Sequence, residues 1–221
     1  PGGRTTEYTY DASGNRLTEK TIYNGVTTYK EYTYDNRNRL TNISIKVDNQ
    51  LIVETIYTFD NNGNQLTTTE KTYYKDGSLI GTATTETNNY DTYNQLIKTV
   101  TKDGTTVTNA YNADGYRVIK GVNGEKTYYL YEGDKIVLEI DKDGKQTARN
   151  LYGINLLMRT VDGQTYSYLY NGHVDVTALI GTDGTVVASY YYDAFGNILE
   201  SNGDVDNNIR YSGYQYDEET G

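Results

Sequence analysis

A chain of 221 residues with 26 tyrosines, 22 glycines, one proline, no cysteine and a formal charge of −10 can form no disulfide or thiolate metal site. It also lacks the basic stripe that meets a phosphate backbone. No apolar run reaches the length of a membrane span, and the opening Pro1–Tyr8 has neither the basic start nor the apolar stretch of a signal peptide. Tyr, Thr, Val and Ile suit a pleated, half-buried surface, Gly, Asn and Asp supply turns, and segments rich in helix formers are few. The expectation is an all-β protein without a nucleic-acid partner, cofactor or metal.

The first element is spelled YTYDASGNRL at 8–17. Tyr8 and Tyr10 point to one face of a strand and Thr9 to the other. Asp11 can accept a hydrogen bond from backbone two residues on, and Gly14 can take a positive φ, so a tight turn follows and a second strand returns through Leu17. Asn24-Gly25 then signals a hairpin turn into the next copy, YTYDNRNRL, with Tyr34, Asp35 and Leu40. A third copy carries Phe59, Asp60, Gly63 and Leu66, and a fourth carries Tyr90, Asp91 and Leu96, with Asp76-Gly77 and Asp103-Gly104 as further turn signals. Degenerate copies follow at Tyr111-Asn112, Tyr131-Glu132, Tyr152-Gly153 and Tyr170-Asn171, punctuated by Asp143-Gly144 and Asp183-Gly184. The aromatic-Asp pair returns at Tyr192 and Asp193, with Gly196, and again at Tyr216 and Asp217.

Each unit is one β-hairpin of roughly 20 residues that cannot bury both faces alone, so the hairpins stack into a curled antiparallel strip. The anchor rings Tyr10, Tyr34, Phe59, Tyr90 and Tyr192 are expected at equivalent strand positions, packed between neighbouring hairpins. Unpaired strands are expected near 1–10 and 205–221, the latter blunted by Asp204, Asp206, Asp217, Glu218 and Glu219 against Arg210 alone.

These copies resemble the YD repeat, or RHS repeat, of bacterial polymorphic toxins, wall-associated proteins and animal teneurins. The resemblance runs along essentially the whole chain. Its most specific stretch is YLYNGHVDVTALIGTDGTVVASYYYDAFGNILES at 168–201, followed by YSGYQYDEETG at 211–221. It implies YD repeats over 1–165, and over 166–221 the last repeats leading into the RHS-associated core segment. Such strips curl into a spiral β-shell that encloses or presents a C-terminal toxin. The implied partners are neighbouring repeats of the parent chain and its toxin cargo, and the implied location is extracellular or on a bacterial cell wall.

The residues themselves offer little catalytic chemistry. His173 is the single histidine, and Ser167 and Asp175 lie near it in sequence, but alternation of strand faces argues against a shared constellation. Asp204, Asp206 and Asn208 imitate the opening of a calcium loop, yet Ile209 and Gln215 stand where the loop needs Gly and Glu. The reading is therefore a non-catalytic structural segment, not an enzyme. An adhesion module binding cell-surface carbohydrate through stacked tyrosines is the alternative, and a hydrolase hidden among the carboxylates a distant third.

Overall fold

The computed structural model describes residues 3–193 and 195–220. Among them are eighteen β-strands and a single turn of 3-10 helix, with no α-helix, so the all-β expectation holds. The chain divides into two compact units, Pro1–Thr106 and Val107–Gly221. The first carries β1 (Thr5–Tyr10), β2 (Arg16–Tyr23), β3 (Val26–Tyr34), β4 (Leu40–Val47), β5 (Gln50–Phe59), β6 (Gln65–Tyr73), β7 (Leu79–Tyr90) and β8 (Leu96–Thr101). Each strand pairs antiparallel with the next.

The second unit begins within β9 (Thr106–Tyr111) and continues through β10 (Arg117–Val122), β11 (Glu125–Glu132), β12 (Lys135–Ile140) and β13 (Gln146–Tyr152). It is completed by β14 (Leu156–Val161), β15 (Gln164–Tyr170), β16 (Val176–Ile180), β17 (Val186–Tyr192) and β18 (Ile198–Asn202). Its strands too pair antiparallel in chain order.

Two kinds of turn recur. The two-residue turns Asn24-Gly25, Asp48-Asn49, Asn123-Gly124 and Asp162-Gly163 have both φ angles positive, the arrangement whose twist matches the flanking strands. The other kind is the aromatic-Asp corner. Tyr10 pairs with Arg16 and Thr9 with Thr18, so Leu17 is an extra bulged residue. The same slip occurs at Phe59, opposite Gln65, and at Tyr34 and Tyr90, opposite Leu40 and Leu96. A bulge at each corner sharpens the local twist, the device that coils such a strip.

The four leucines are not equivalent: Leu40 and Leu96 stand opposite their aromatics, whereas Leu17 and Leu66 are the bulged residues. The five-residue loop fixes which residue returns opposite the ring, and leucine simply falls on either side of that point.

Burial is uneven. The second unit holds a core of Leu156, Tyr168, Val176, Leu179, Ala188, Tyr190 and Ile209. In the first unit Tyr32 is the only fully buried apolar side chain among the described residues. The anchors are also shallower than expected. Tyr10 is 51% exposed, and Tyr34, Phe59, Tyr90 and Tyr192 are half-buried. Each anchor is the last residue of its strand, at the rim beside the loop. The deeper rings sit two residues earlier on the same face, at Tyr32 and Tyr190, and likewise at Tyr129 and Tyr168.

Candidate functional site

The corner explains its own spelling. Asp11 Oδ1 accepts the backbone N–H groups of Ser13 and Asn15, and Asp11 Oδ2 accepts from the Asn15 side chain, at 2.8–2.9 Å. The Gly14 N–H donates to the Asp11 carbonyl. Asp35, Asp60, Asp91 and Asp193 receive the same pair of backbone bonds from the residues two and four on. Asn112 and Asn171 reproduce them with an amide oxygen, so those degenerate copies keep the turn. Glu132 and Gly153 instead open shorter loops of two and three residues. The fourth loop position needs a positive φ, and it is filled by Gly14, Asn38, Gly63, Asn94, Gly115, Gly144 and Gly196.

The anchor hydroxyl has a fixed task. Tyr34 donates to the carbonyl of Arg16, Tyr90 to Gln65, Tyr131 to Arg117, Tyr170 to Leu156 and Tyr192 to Val176, at 2.7–3.0 Å. In every case the acceptor is the first residue of the return strand in the preceding hairpin. The bond ties each hairpin to the last beside its bulge, which is why tyrosine stands where phenylalanine would pack as well. Phe59 cannot make this bond; the Arg39 guanidinium lies 4.8 Å from its ring centre. Burial pushes the Tyr170 phenol up to about 12.

Tyr216 and Asp217, expected as a further copy, do something else. They lie in no strand but in a strap, residues 203–220, that folds across the second unit. Gly203 starts it with φ +92, and a Cβ there would collide with the Val187 carbonyl oxygen. Asn207, Ile209 and Arg210 are then buried. Asn207 Oδ1 accepts from the Tyr168 hydroxyl at 2.6 Å, and the Val176 N–H donates to the Arg210 carbonyl at 3.1 Å.

Asp217 pairs with Arg117 through two bonds and with Lys120 at 3.0 Å. Glu219 pairs with Lys120 at 2.7 Å and Glu218 with Arg210 at 2.6 Å. Burial works to raise the Asp217 carboxyl, but the Arg117 and Lys120 partners outweigh it and hold it low. Three of the five carboxylates expected to blunt an exposed edge, Asp217, Glu218 and Glu219, thus pair with cations of their own chain, whereas Asp204 and Asp206 are exposed.

Beneath the strap lies a buried charge pair. Arg159, 1% exposed, donates to both carboxylate oxygens of Glu139 and to Asn150 Oδ1, while Asn208 also donates to Glu139. Nothing in the repeat pattern marks this pair. Its one signal is an arginine amid the apolar LLMRTV of β14.

The remaining chemistry gathers at the 171–175 turn. His173 Nδ1 lies 2.9 Å from Asp175 Oδ1, which also accepts the Ser212 N–H at 3.0 Å. Burial works to raise the Asp175 carboxyl, but bonds from His173, Asn171 and the Ser212 amide hold it below its ordinary value. Val174 takes φ +67 in the loop position that Gly or Asn fills elsewhere, and Ser212 takes φ +49. A β-branched residue in that region is strained, and strain of this kind collects at functional sites.

So the structure joins His173 to Asp175, against the expectation that strand alternation separates them. Both belong to one turn, where alternation does not apply. The serine that reaches them is Ser212, not Ser167. Its Oγ is 3.4 Å from the same Nδ1 that meets Asp175, whereas a serine relay uses opposite ring nitrogens. What the cluster offers is one imidazole oriented by a buried carboxylate, able to exchange a proton at Nε2. Among the described residues no group of three or more His, Asp or Glu is arranged to hold a metal.

No family model matches the chain. It is 37% identical over 226 residues, 99% of its length, to the tRNA3(Ser)-specific nuclease WapA of Bacillus spizizenii, and equally to the tRNA nuclease WapA of Bacillus subtilis strain 168. The chain spans 9% of each of those relatives. A solved structure of TcdB2-TccC3-Cdc42 superposes with a TM-score of 0.51 at 13% identity, covering 98% of this chain and 18% of that one. That likeness shows the fold, an antiparallel array of β-hairpins. The expectation of a segment that is not an enzyme is overturned by the two WapA relatives, both of which are named as tRNA nucleases. Their names also weigh against excluding nucleic acid as a partner.

Proposed function

We propose that the chain is a stretch of YD-repeat scaffold from a secreted bacterial toxin whose activity is the cleavage of tRNA. In this reading the strip is part of a β-shell that encloses or presents the toxin, and the strap is the passage by which repeats lead into the core segment. The observation that carries it is 37% identity along 99% of the chain to nucleases of that specificity. Identity sustained along the full length of a scaffold fits retention of the whole architecture, and the corner bonds supply the physical reason. Each repeat fixes the next through the tyrosine bond beside its corner.

The test is a tRNA cleavage assay on the full protein that contains this stretch, intact and after opening by limited proteolysis. Cleavage of tRNA that rises on opening is the expected result. Absence of cleavage in both states would remove the nuclease reading. Equal cleavage in both would keep the nuclease and remove enclosure.

A further inference from the structure

The strained turn at 171–175 holds one tyrosine ring of the strap in place. Asp175 Oδ1 accepts the Ser212 N–H at 3.0 Å. Ser212 and Gly213, with φ +49 and +70, form the single 3-10 turn that separates Tyr211 from Tyr214. The Tyr211 ring lies between His173 and Tyr192, with ring centres 5.4 and 5.6 Å from its own. It also lies so close to the β17–β18 corner that a Cβ on Gly196 would stand 2.7 Å from Tyr211 Cδ1. A ring fixed from three sides is preorganised, and binding to such a wall costs little further ordering.

Tyr211, Tyr214 and Tyr216 of the strap enclose, with Tyr192, Ile198 and Gln215, a pocket of about 140 Å³. An apolar space of that size accommodates one six-membered ring. Tyr214 is 76% exposed, so one wall reaches out to solvent. Gln215 brings an unbalanced polar atom. Its Oε1 accepts from Arg117 at 3.3 Å, but its Nε2 is buried without a hydrogen-bond partner. A buried donor without an acceptor is costly, and a ligand oxygen relieves that cost. The charge on the lining is already compensated: Arg210 pairs with Glu218 at 2.6 Å and stacks 4.2 Å from the Tyr216 ring centre. The pocket therefore offers aromatic faces and a neutral donor, with no charge left to attract an ion.

We propose that this pocket binds one neutral pyranose ring of a carbohydrate. A pyranose presents C–H groups on its flat faces, which stack on aromatic rings, and hydroxyls at its rim, one of which accepts from Gln215 Nε2. A nucleobase is also ring-sized, but it arrives on a polyanion, and the chain carries a formal charge of −10. The site differs from a stack of repeat tyrosines. Its walls come from the strap, whereas the anchor hydroxyls of Tyr34, Tyr90 and Tyr192 are engaged by return-strand carbonyls. The inference stands on the geometry of the strap and is independent of the nuclease reading.

The test is saturation-transfer NMR of the 221-residue chain with the methyl pyranosides of glucose, galactose, mannose and N-acetylglucosamine, and with uridine in a parallel arm. The expected result is transfer to the ring C–H protons of at least one pyranoside, with uridine bound more weakly. Tyr214→Ala, at a largely exposed site, should weaken binding about fivefold or more. Gln215→Glu, which keeps an acceptor for Arg117 and removes the donor, should weaken it about fivefold. Tyr93→Ala, which removes a ring 83% exposed in the first unit, should leave binding unchanged. Circular dichroism confirms folding of each variant, and Gln215→Glu carries the test if Tyr214→Ala does not fold. Absence of transfer to every pyranoside overturns the inference. So does pyranoside binding that survives both pocket substitutions, which would place it elsewhere on the chain. Uridine bound in preference to every pyranoside overturns it as well and assigns the pocket to a base.

Discussion

A single hydroxyl separates Tyr34 from Phe59, and the two show what the anchor contributes. Both rings close a strand at an aromatic-Asp corner and both are half-buried. Only Tyr34 donates to a return-strand carbonyl, that of Arg16 at 2.9 Å. Replacing Tyr34 by Phe leaves the ring in place and strips the carbonyl of its donor, so the unfolding free energy should fall by about 1 kcal/mol. Tyr192→Phe should behave alike, since its bond to Val176 is equivalent. Urea unfolding of both variants measures this, and a change within error at both sites would mean the bond is replaced by water. Burial accounts for the rest of the anchor's effect, and burial is greater at Tyr32 and Tyr190 than at the anchors themselves.

At the scale of elements the strap carries most of what repetition cannot explain. It must leave β18 and turn onto the sheet at Gly203, where a side chain would collide with the Val187 carbonyl and where φ is +92. Gly203→Ala should therefore displace the strap and destabilise the second unit by about 1–3 kcal/mol from backbone strain alone. Hydrogen exchange at Ile209 and Arg210 should quicken in the variant. Unchanged protection there would show that the strap is held by its ion pairs and not by its entry.

These elements differ in how far sequence reveals them. The hairpins are legible because each copy spells its own strand, turn and return within about ten residues. The strap is not. YQYDEE looks like one more copy, and only contact with Arg117, 100 positions away in sequence, shows Asp217 to be an ion-pair partner. The His173 pair is hidden for the opposite reason: strand alternation does not govern residues that share a turn.

Over the whole molecule, two asymmetries set stability. The first is in pH. Asp11, Asp35, Asp60, Asp76, Asp103 and Asp183 are held below their ordinary range by donors of their own loops. Asp175 and Asp217 are held low by their partners. A carboxylate depressed in the folded state stabilises fully above its unfolded value of about 4 and loses that contribution as pH falls through its folded value. Thermal stability should hold at mildly acidic pH and drop steeply below about pH 4. Asp206 runs the other way: partial burial, with Glu139, Glu218 and Asp162 nearby, pushes it up despite Arg159. Asp206→Asn should thus gain slightly at neutral pH and nothing in acid, and a loss at neutral pH would contradict this assignment.

The second asymmetry is in the core. Val176 and Leu179 are fully buried within a cluster of seven side chains in the second unit, whereas the first buries Tyr32 alone among its described apolar groups. Few buried apolar contacts mean low-energy local opening even where the backbone ladder is complete. Amides of β14–β17 should therefore exchange slowest and those of β1–β6 fastest by orders of magnitude, although both regions are equally strand. Hydrogen exchange read by mass spectrometry on the intact chain decides it. Uniform protection across the two units would show that strand pairing, and not the core, sets local stability. The tyrosine bonds that link successive hairpins would then contribute more to holding the strip together than its buried side chains do.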